Sequence, residues 1–82
     1  MMVIKKDGTK EAFDGQKIVN AVSKSAARAM IELDDTQYHE IVSKVMNIVS
    51  SRFTEEVHVA DMHNIVEQVL DGVNTKIAKS YR

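Results

Sequence analysis

Proline is absent from this chain of 82 residues, and glycine occurs only at positions 8, 15 and 72. Between Gly15 and Gly72 nothing breaks a helix, so long helices are permitted over most of the sequence. The beginning is the exception. Val3-Ile4-Lys5-Lys6 and Thr9-Lys10-Glu11-Ala12-Phe13 flank Asp7-Gly8, a dipeptide suited to a type I′ turn with positive φ at both central residues. Residues 2–13 therefore read as a hairpin, and a two-residue turn sets Lys5 opposite Lys10. Like charges facing across a ladder destabilise it unless an anion relieves them. A lone hairpin is marginal in water and has to lie on something.

What it lies on has helical period. Ile18, Val22, Ala26 and Ala29 recur at steps of three or four, with Val19 and Met30 widening the stripe. They predict a helix over 14–30 with Asp14 as its N-cap. Tyr38, Ile41, Val42, Val45, Ile48 and Val49 predict a second over 35–52, opened by the capping-box pattern of Asp34 and Gln37. Glu55-Glu56-Val57-His58-Val59 is alternating and β-branched, which predicts a short third strand. Met62, Ile65, Val66, Val69 and Leu70 give a helix over 61–71; Gly72 is its expected C-cap, and a last helix follows over 74–82. Met30, Met46 and Met62 read as core filler. The fold class is α+β, mostly α: a small helical bundle with a little sheet laid over one end.

Composition narrows the function. Cysteine is absent, which removes disulfides, thiolate metal sites and thiol nucleophiles together. With 11 basic and 12 acidic residues the chain is near neutral, which argues against nucleic acid or an anionic membrane as a partner held by bulk charge. No run approaches the roughly 20 apolar residues that span a bilayer, and Met1-Met2-Val3-Ile4-Lys5-Lys6 lacks the apolar core of a signal peptide. A cytoplasmic setting is the expectation. His39, His58 and His63 have no metal-ligand spacing. Ser23, Ser25, Ser50 and Ser51 have no base beside them, so neither a metal centre nor a catalytic residue is expected.

Charge is distributed unevenly. Residues 1–28 hold six cations and three acids, residues 29–72 hold two cations and nine acids, and the last ten add Lys76, Lys79 and Arg82 with no acid. If the termini meet, they form a cationic pole sized for a polyphosphate rather than a duplex. Around the hairpin, Lys5 and Lys6 precede a turn, Glu11 follows it, and Lys17 sits on the first turn of a helix. Lysine brings point charge and three donors to phosphate oxygens. Glu11 and Asp14 repel phosphate but accept from an amino group or a sugar hydroxyl. A ligand with an anionic tail and a donor-bearing head suits the mixture, and a nucleoside triphosphate has both. In a flat strand, however, Lys5 and Lys6 point to opposite faces.

Val3-x-Lys5-Lys6-Asp7-Gly8, then Glu11-x-Phe13-Asp14 and Lys17-Ile18, resembles the ATP-cone domain. That module regulates ribonucleotide reductases and occurs in their bacterial transcriptional repressor. The likeness continues through Val57-x-Val59-x-Asp61-Met62-His63-x-Ile65-Val66-Glu67 and closes at Ala78-Lys79-Ser80-Tyr81-Arg82, so it spans the chain. The style of Phe13-Asp14-Gly15-Gln16-Lys17-Ile18 and of the last eight residues is most similar to anaerobic ribonucleoside-triphosphate reductases.

The resemblance implies a four-helix bundle capped by a three-stranded sheet, with ATP or dATP beneath the sheet and magnesium accompanying the triphosphate. Val3, Lys5 and Lys6 would line the nucleotide from the first strand. Glu11 and Asp14 would recognise adenine or ribose, Lys17 and His63 would approach phosphates or sugar, and Ile18 would pack on the base. It implies a regulatory domain over residues 1–82 at the N-terminal side of a larger enzyme, with the rest of the reductase and its other subunits as partners. Two rival readings are the nucleotide sensor of the repressor, and a helical interaction domain whose basic pole meets an acidic protein.

Overall fold

The N-terminal hairpin closes over three residues, not two, in the computed structural model, which describes residues 1–82. Strands β1 (Met2–Ile4) and β2 (Lys10–Ala12) pair antiparallel, with Val3 against Glu11 and Ile4 against Lys10. The Lys5 amide donates to the Thr9 carbonyl at 2.8 Å and the Gly8 amide to the Lys5 carbonyl at 3.0 Å. Lys6, Asp7 and Gly8 are thus the loop, and Gly8 alone among them has positive φ, at 87°. This is a turn ended by a left-handed glycine. Asp7 selects it, because its Oδ1 accepts from the Thr9 amide at 3.0 Å and from the Thr9 hydroxyl at 2.6 Å. The type I′ expectation is corrected, and the Lys5–Lys10 opposition goes with it. Lys5 faces Thr9, while Lys10 crosses the outer face of the sheet to Glu56 at 2.6 Å.

Strand β3 (Glu56–His58) joins β1 in parallel, Val57 beside Val3, giving the order β2-β1-β3. Val3 and Val57 are both buried. By alternation Val3, Lys5 and Glu11 share the inward face of the ribbon.

The helices start where side chains can take up their free amides. Asp14 accepts from the Gln16 amide at 2.9 Å and opens α1 (Gly15–Arg28). Asp34 and Gln37 form a complete capping box on α2 (Asp35–Arg52). Helix α3 (Val59–Val73) begins two residues earlier than the pattern predicts, because His58 Nδ1 accepts from the Ala60 amide at 3.2 Å and caps it. Gly72 lies inside α3 and is not its cap. Asn74 ends α3 and also opens α4 (Thr75–Tyr81), its side chain accepting from the amides of Lys76 and Ile77.

Met30 departs from its expected role. The Ile31 amide bonds to the Ala26 carbonyl and the Met30 amide to that of Ala27, which is a Schellman ending with Met30 at φ 59° where glycine is usual. The residue is 93% exposed, whereas Met62 is buried and Met46 half-buried. Helix α1 packs on α4, and α3 on both α2 and α4. Apolar residues of all four helices join Val3 and Val57 in one core. The result is the four-helix bundle capped by a three-stranded sheet. No helix is long and apolar enough to cross a membrane.

Candidate functional site

The inward face of the hairpin does not lie flush on the bundle. Between it and the helices runs a cleft of about 160 Å³. Val3 and Ala12 come from the sheet, Phe13 and Asp14 from the link to α1, Ile18 and Ala21 from α1, Val59, Met62 and Val66 from α3, and Tyr81 from the end of α4. These walls are almost all apolar. Glu11, Asp14 and Lys17 are the charged residues of its lining.

One atom organises the mouth of the cleft. Glu11 Oε2 accepts from Lys17 Nζ at 2.9 Å and lies 3.2 Å from Lys5 Nζ. Lys17 first, and Lys5 after it, hold the Glu11 carboxyl below the ordinary carboxylate range. Glu11 in turn raises the Lys17 ammonium above its usual value. All three side chains are partly exposed, so the bridge is accessible from solvent and sensitive to salt.

A second cavity, of about 310 Å³, lies across the Val59 ridge and is lined by Lys6, Val59, Ala60, His63 and Asn64. The His63 ring stacks on Tyr81, with centroids 4.5 Å apart and planes inclined by 20°, so this ring pair stands between the two spaces. Burial first, and the Glu67 charge second, push the Tyr81 phenol upward. Arg82 holds that corner. It donates to Glu67 and Asp71, one turn apart on α3, with Arg82 Nη2 3.0 Å from Asp71 Oδ2.

Of the eight residues assigned from sequence, Val3, Glu11, Asp14, Lys17 and Ile18 line the cleft. Lys5 joins them through Glu11, while Lys6 and His63 line the neighbouring cavity. The two adjacent lysines thus serve different sides of one ridge, Lys5 as the last paired residue before the loop and Lys6 as the first residue within it. The sequence reading did not assign Ala12, Phe13, Ala21, Val59, Met62, Val66 or Tyr81 to the site. Ile18-x-x-Ala21 and Val59-x-x-Met62-x-x-x-Val66 carry helical spacing that would have placed them beside assigned positions. Tyr81 had only its place in the closing motif.

The cationic pole is smaller than the charge count suggests. The first and last segments do meet, since Val3 and Tyr81 line one cleft and Arg28 donates to the Ser80 carbonyl at 3.1 Å. Yet Glu11 engages Lys5 and Lys17, Glu56 engages Lys10, and Arg82 is taken up by α3. No group of three His, Asp or Glu side chains is arranged to hold a metal ion.

An apolar slot with exchangeable ammonium groups at its mouth suits a flat, uncharged head on an anionic tail, the ligand of a small nucleotide-binding domain. Comparison with known sequences gives the lineage. The chain belongs to the ATP-cone family, and the profile of the ATP cone domain matches residues 1–82. It is 35% identical over 80 residues to the anaerobic ribonucleoside-triphosphate reductase of Haemophilus influenzae, covering 96% of this chain and 11% of that protein. It is 31% identical over 70 residues to the transcriptional repressor NrdR of Streptococcus suis, covering 85% of this chain and 42% of the repressor. A second NrdR, from Streptococcus equi subsp. zooepidemicus, is 33% identical over 70 residues. The chain thus spans less than half the length of each relative. ATP cones are nucleotide-binding regulatory domains of reductases and of such repressors.

Proposed function

We propose that residues 1–82 form an allosteric ATP/dATP sensor at the N-terminal side of an anaerobic ribonucleoside-triphosphate reductase, an oxidoreductase that makes deoxyribonucleotides for DNA replication. The observation that carries the ligand assignment is the apolar cleft whose mouth is a carboxylate shared by two lysines. At about 160 Å³ the cleft is smaller than the roughly 300–1,000 Å³ of whole-ligand pockets. The base enters it against Ile18 and Tyr81, and the triphosphate, with its magnesium, stays outside among Lys5, Lys17, Lys6 and His63. Asp14 and Glu11 accept from the base or ribose.

ATP and dATP differ by one hydroxyl, and a net hydrogen bond contributes roughly 0.5–1.5 kcal/mol. Contacts in the cleft therefore discriminate only modestly between them. A large on/off effect requires a bistable assembly of the parent reductase and its other subunits, biased by what the cone holds. The cone itself binds and makes no bond.

Likeness to the reductase over 96% of the chain and to the repressor over 85% supports either parent; the reductase reading rests on the style of residues 13–18 and of the last eight residues. The repressor reading remains the second, and it removes the ground for excluding nucleic acid as a partner of a longer chain. The protein sequence flanking this segment decides between them. Titration calorimetry with ATP, dATP and GTP at fixed magnesium tests the ligand. Saturable adenylate binding with weaker GTP is expected, and no uptake at millimolar nucleotide would reject the reading. A salt-sensitive complex with an acidic protein, without any ATP effect on melting, would favour the helical interaction domain instead.

A further inference from the structure

The link between α1 and α2 borders the largest open groove of the molecule, about 520 Å³ against about 160 Å³ for the cleft. Ala27 enters it from α1, Met30, Ile31, Glu32 and Leu33 from the link, and Tyr38 from α2. None of them borders the cleft, so the groove is separate from any nucleotide held there. Met30 is its anomaly. At φ 59° it holds a conformation that is unfavourable for every residue but glycine, and it is almost fully exposed, so the fold gains little packing in return. Glycine would end α1 with less strain. Turn geometry and core packing therefore leave the methionine unaccounted for. A flexible, polarisable side chain standing free beside half-buried Ile31, Leu33 and Tyr38 is suited to closing on an apolar partner.

Charge defines what that partner is. Glu32, Asp34 and Asp35 lie on or beside the link, and no lysine or arginine occurs from Ala29 to Ser43. Asp34 is used as the cap of α2, whereas Glu32 and Asp35 are exposed and have no cation at ion-pair distance. Lys24 and Arg28 share another flank of α1, one turn apart, where Arg28 reaches Ser80 on α4. Two copies meeting through this face would set the same acids against each other. The corner offers no strand edge, so a docked segment has to satisfy its own backbone, as a helix does. We propose that the α1–α2 corner docks a basic amphipathic helix of a partner protein. Its apolar stripe lies in the groove beside Met30, and its lysines or arginines face Glu32 and Asp35.

Calorimetry on the intact 82-residue chain tests this with a synthetic helix of about 18 residues, leucine recurring at steps of three and four and lysine elsewhere. One reference peptide carries glutamate for lysine, and another has the same residues reordered without the stripe. The basic striped peptide should bind at least about tenfold more tightly than either. Met30→Gly adds a readout that a merely structural role would not give. It should raise the melting temperature, followed by circular dichroism, because glycine suits the backbone there, and yet weaken the peptide by about fivefold or more. Glu32→Gln with Asp35→Asn should weaken it by about fivefold at low salt. Glu40, two residues beyond Tyr38 and so on the far side of α2, and Glu55, at the sheet, supply the control. Glu40→Gln with Glu55→Gln changes net charge equally and should move the affinity by less than about twofold.

Equal binding of the three peptides, or a Met30→Gly chain that binds the basic one as tightly as the parent chain does, would overturn the proposal. A concentration-dependent dimer in sedimentation that Met30→Gly dissolves would overturn it too, since the face would then belong to a second copy.

Discussion

Two three-residue ion clusters flank the cleft, and they are charge mirror images. On the hairpin side one acid, Glu11, is shared by two lysines. On the α3–α4 side one cation, Arg82, is shared by two acids, Glu67 and Asp71. Lysine ammonium groups are compact charges on flexible stems and re-partner readily, whereas a guanidinium fork fixes direction as well as charge. Glu11 and its lysines border open space, while Arg82 ties the end of α4 to α3 and so sets Tyr81 against His63. The contrast separates a cluster that can exchange its partner for a ligand from one that positions a wall.

Removing cations tests that contrast most severely. Lys5→Ala with Lys6→Ala takes one ammonium from each side of the Val59 ridge. It is expected to weaken ATP by about a hundredfold or more with helicity unchanged, read by calorimetry and circular dichroism. Unchanged affinity would show that the lysine clusters do not hold phosphate. Tyr81→Ala removes the ring that closes the cleft. It should cost ATP about tenfold, the scale of base–aromatic stacking, while a smaller effect on tripolyphosphate would place the loss at the base.

Each side also carries one informative glycine. A Cβ at Gly8 or at Gly72 would meet nothing within 4 Å, so the two differ only in backbone: Gly8 has φ 87°, whereas Gly72 lies inside α3. Gly8→Ala should destabilise by about 1 kcal/mol and Gly72→Ala stabilise by about 0.5–1 kcal/mol. Those values correspond to melting shifts of roughly 4–8 °C per kcal/mol in opposite directions.

The smallest effect is with pH. Because its folded value is depressed, Glu11 contributes stability that is fully present above the unfolded value of about 4.5 and lost as pH falls through the folded one. The melting difference between the parent chain and Glu11→Gln should therefore hold at neutral pH and shrink in acid. A difference that grows in acid would contradict the bridge.

Much of the fold was legible because it is local. Asp14 and the Asp34–Gln37 box cap through bonds two or three residues long, and both helices begin where those residues predict. Misreadings came where one local pattern serves two geometries. Asp7-Gly8 fits a two-residue turn or a three-residue loop, and the Asp7 bonds to Thr9 choose the second. Gly72 looked like a terminator, but Asn74 provides a cap for both neighbouring helices. Met30 continued the apolar stripe by count, yet the chain leaves α1 one residue before it. The site was legible as charge and not as shape. The lysines and acids stand in one motif, whereas the cleft needs α3 and α4 beside the hairpin, an apposition that no spacing encodes.

The central claim is that adenylate enters the seam between hairpin and bundle, and amide chemical-shift mapping during an ATP titration tests it most directly. Shifts should concentrate at Val3, Glu11, Ile18, Val59 and Tyr81, saturate together, and spare the exposed corner at Met30. Shifts confined to that corner, or none at millimolar ATP in a folded protein, would contradict the account.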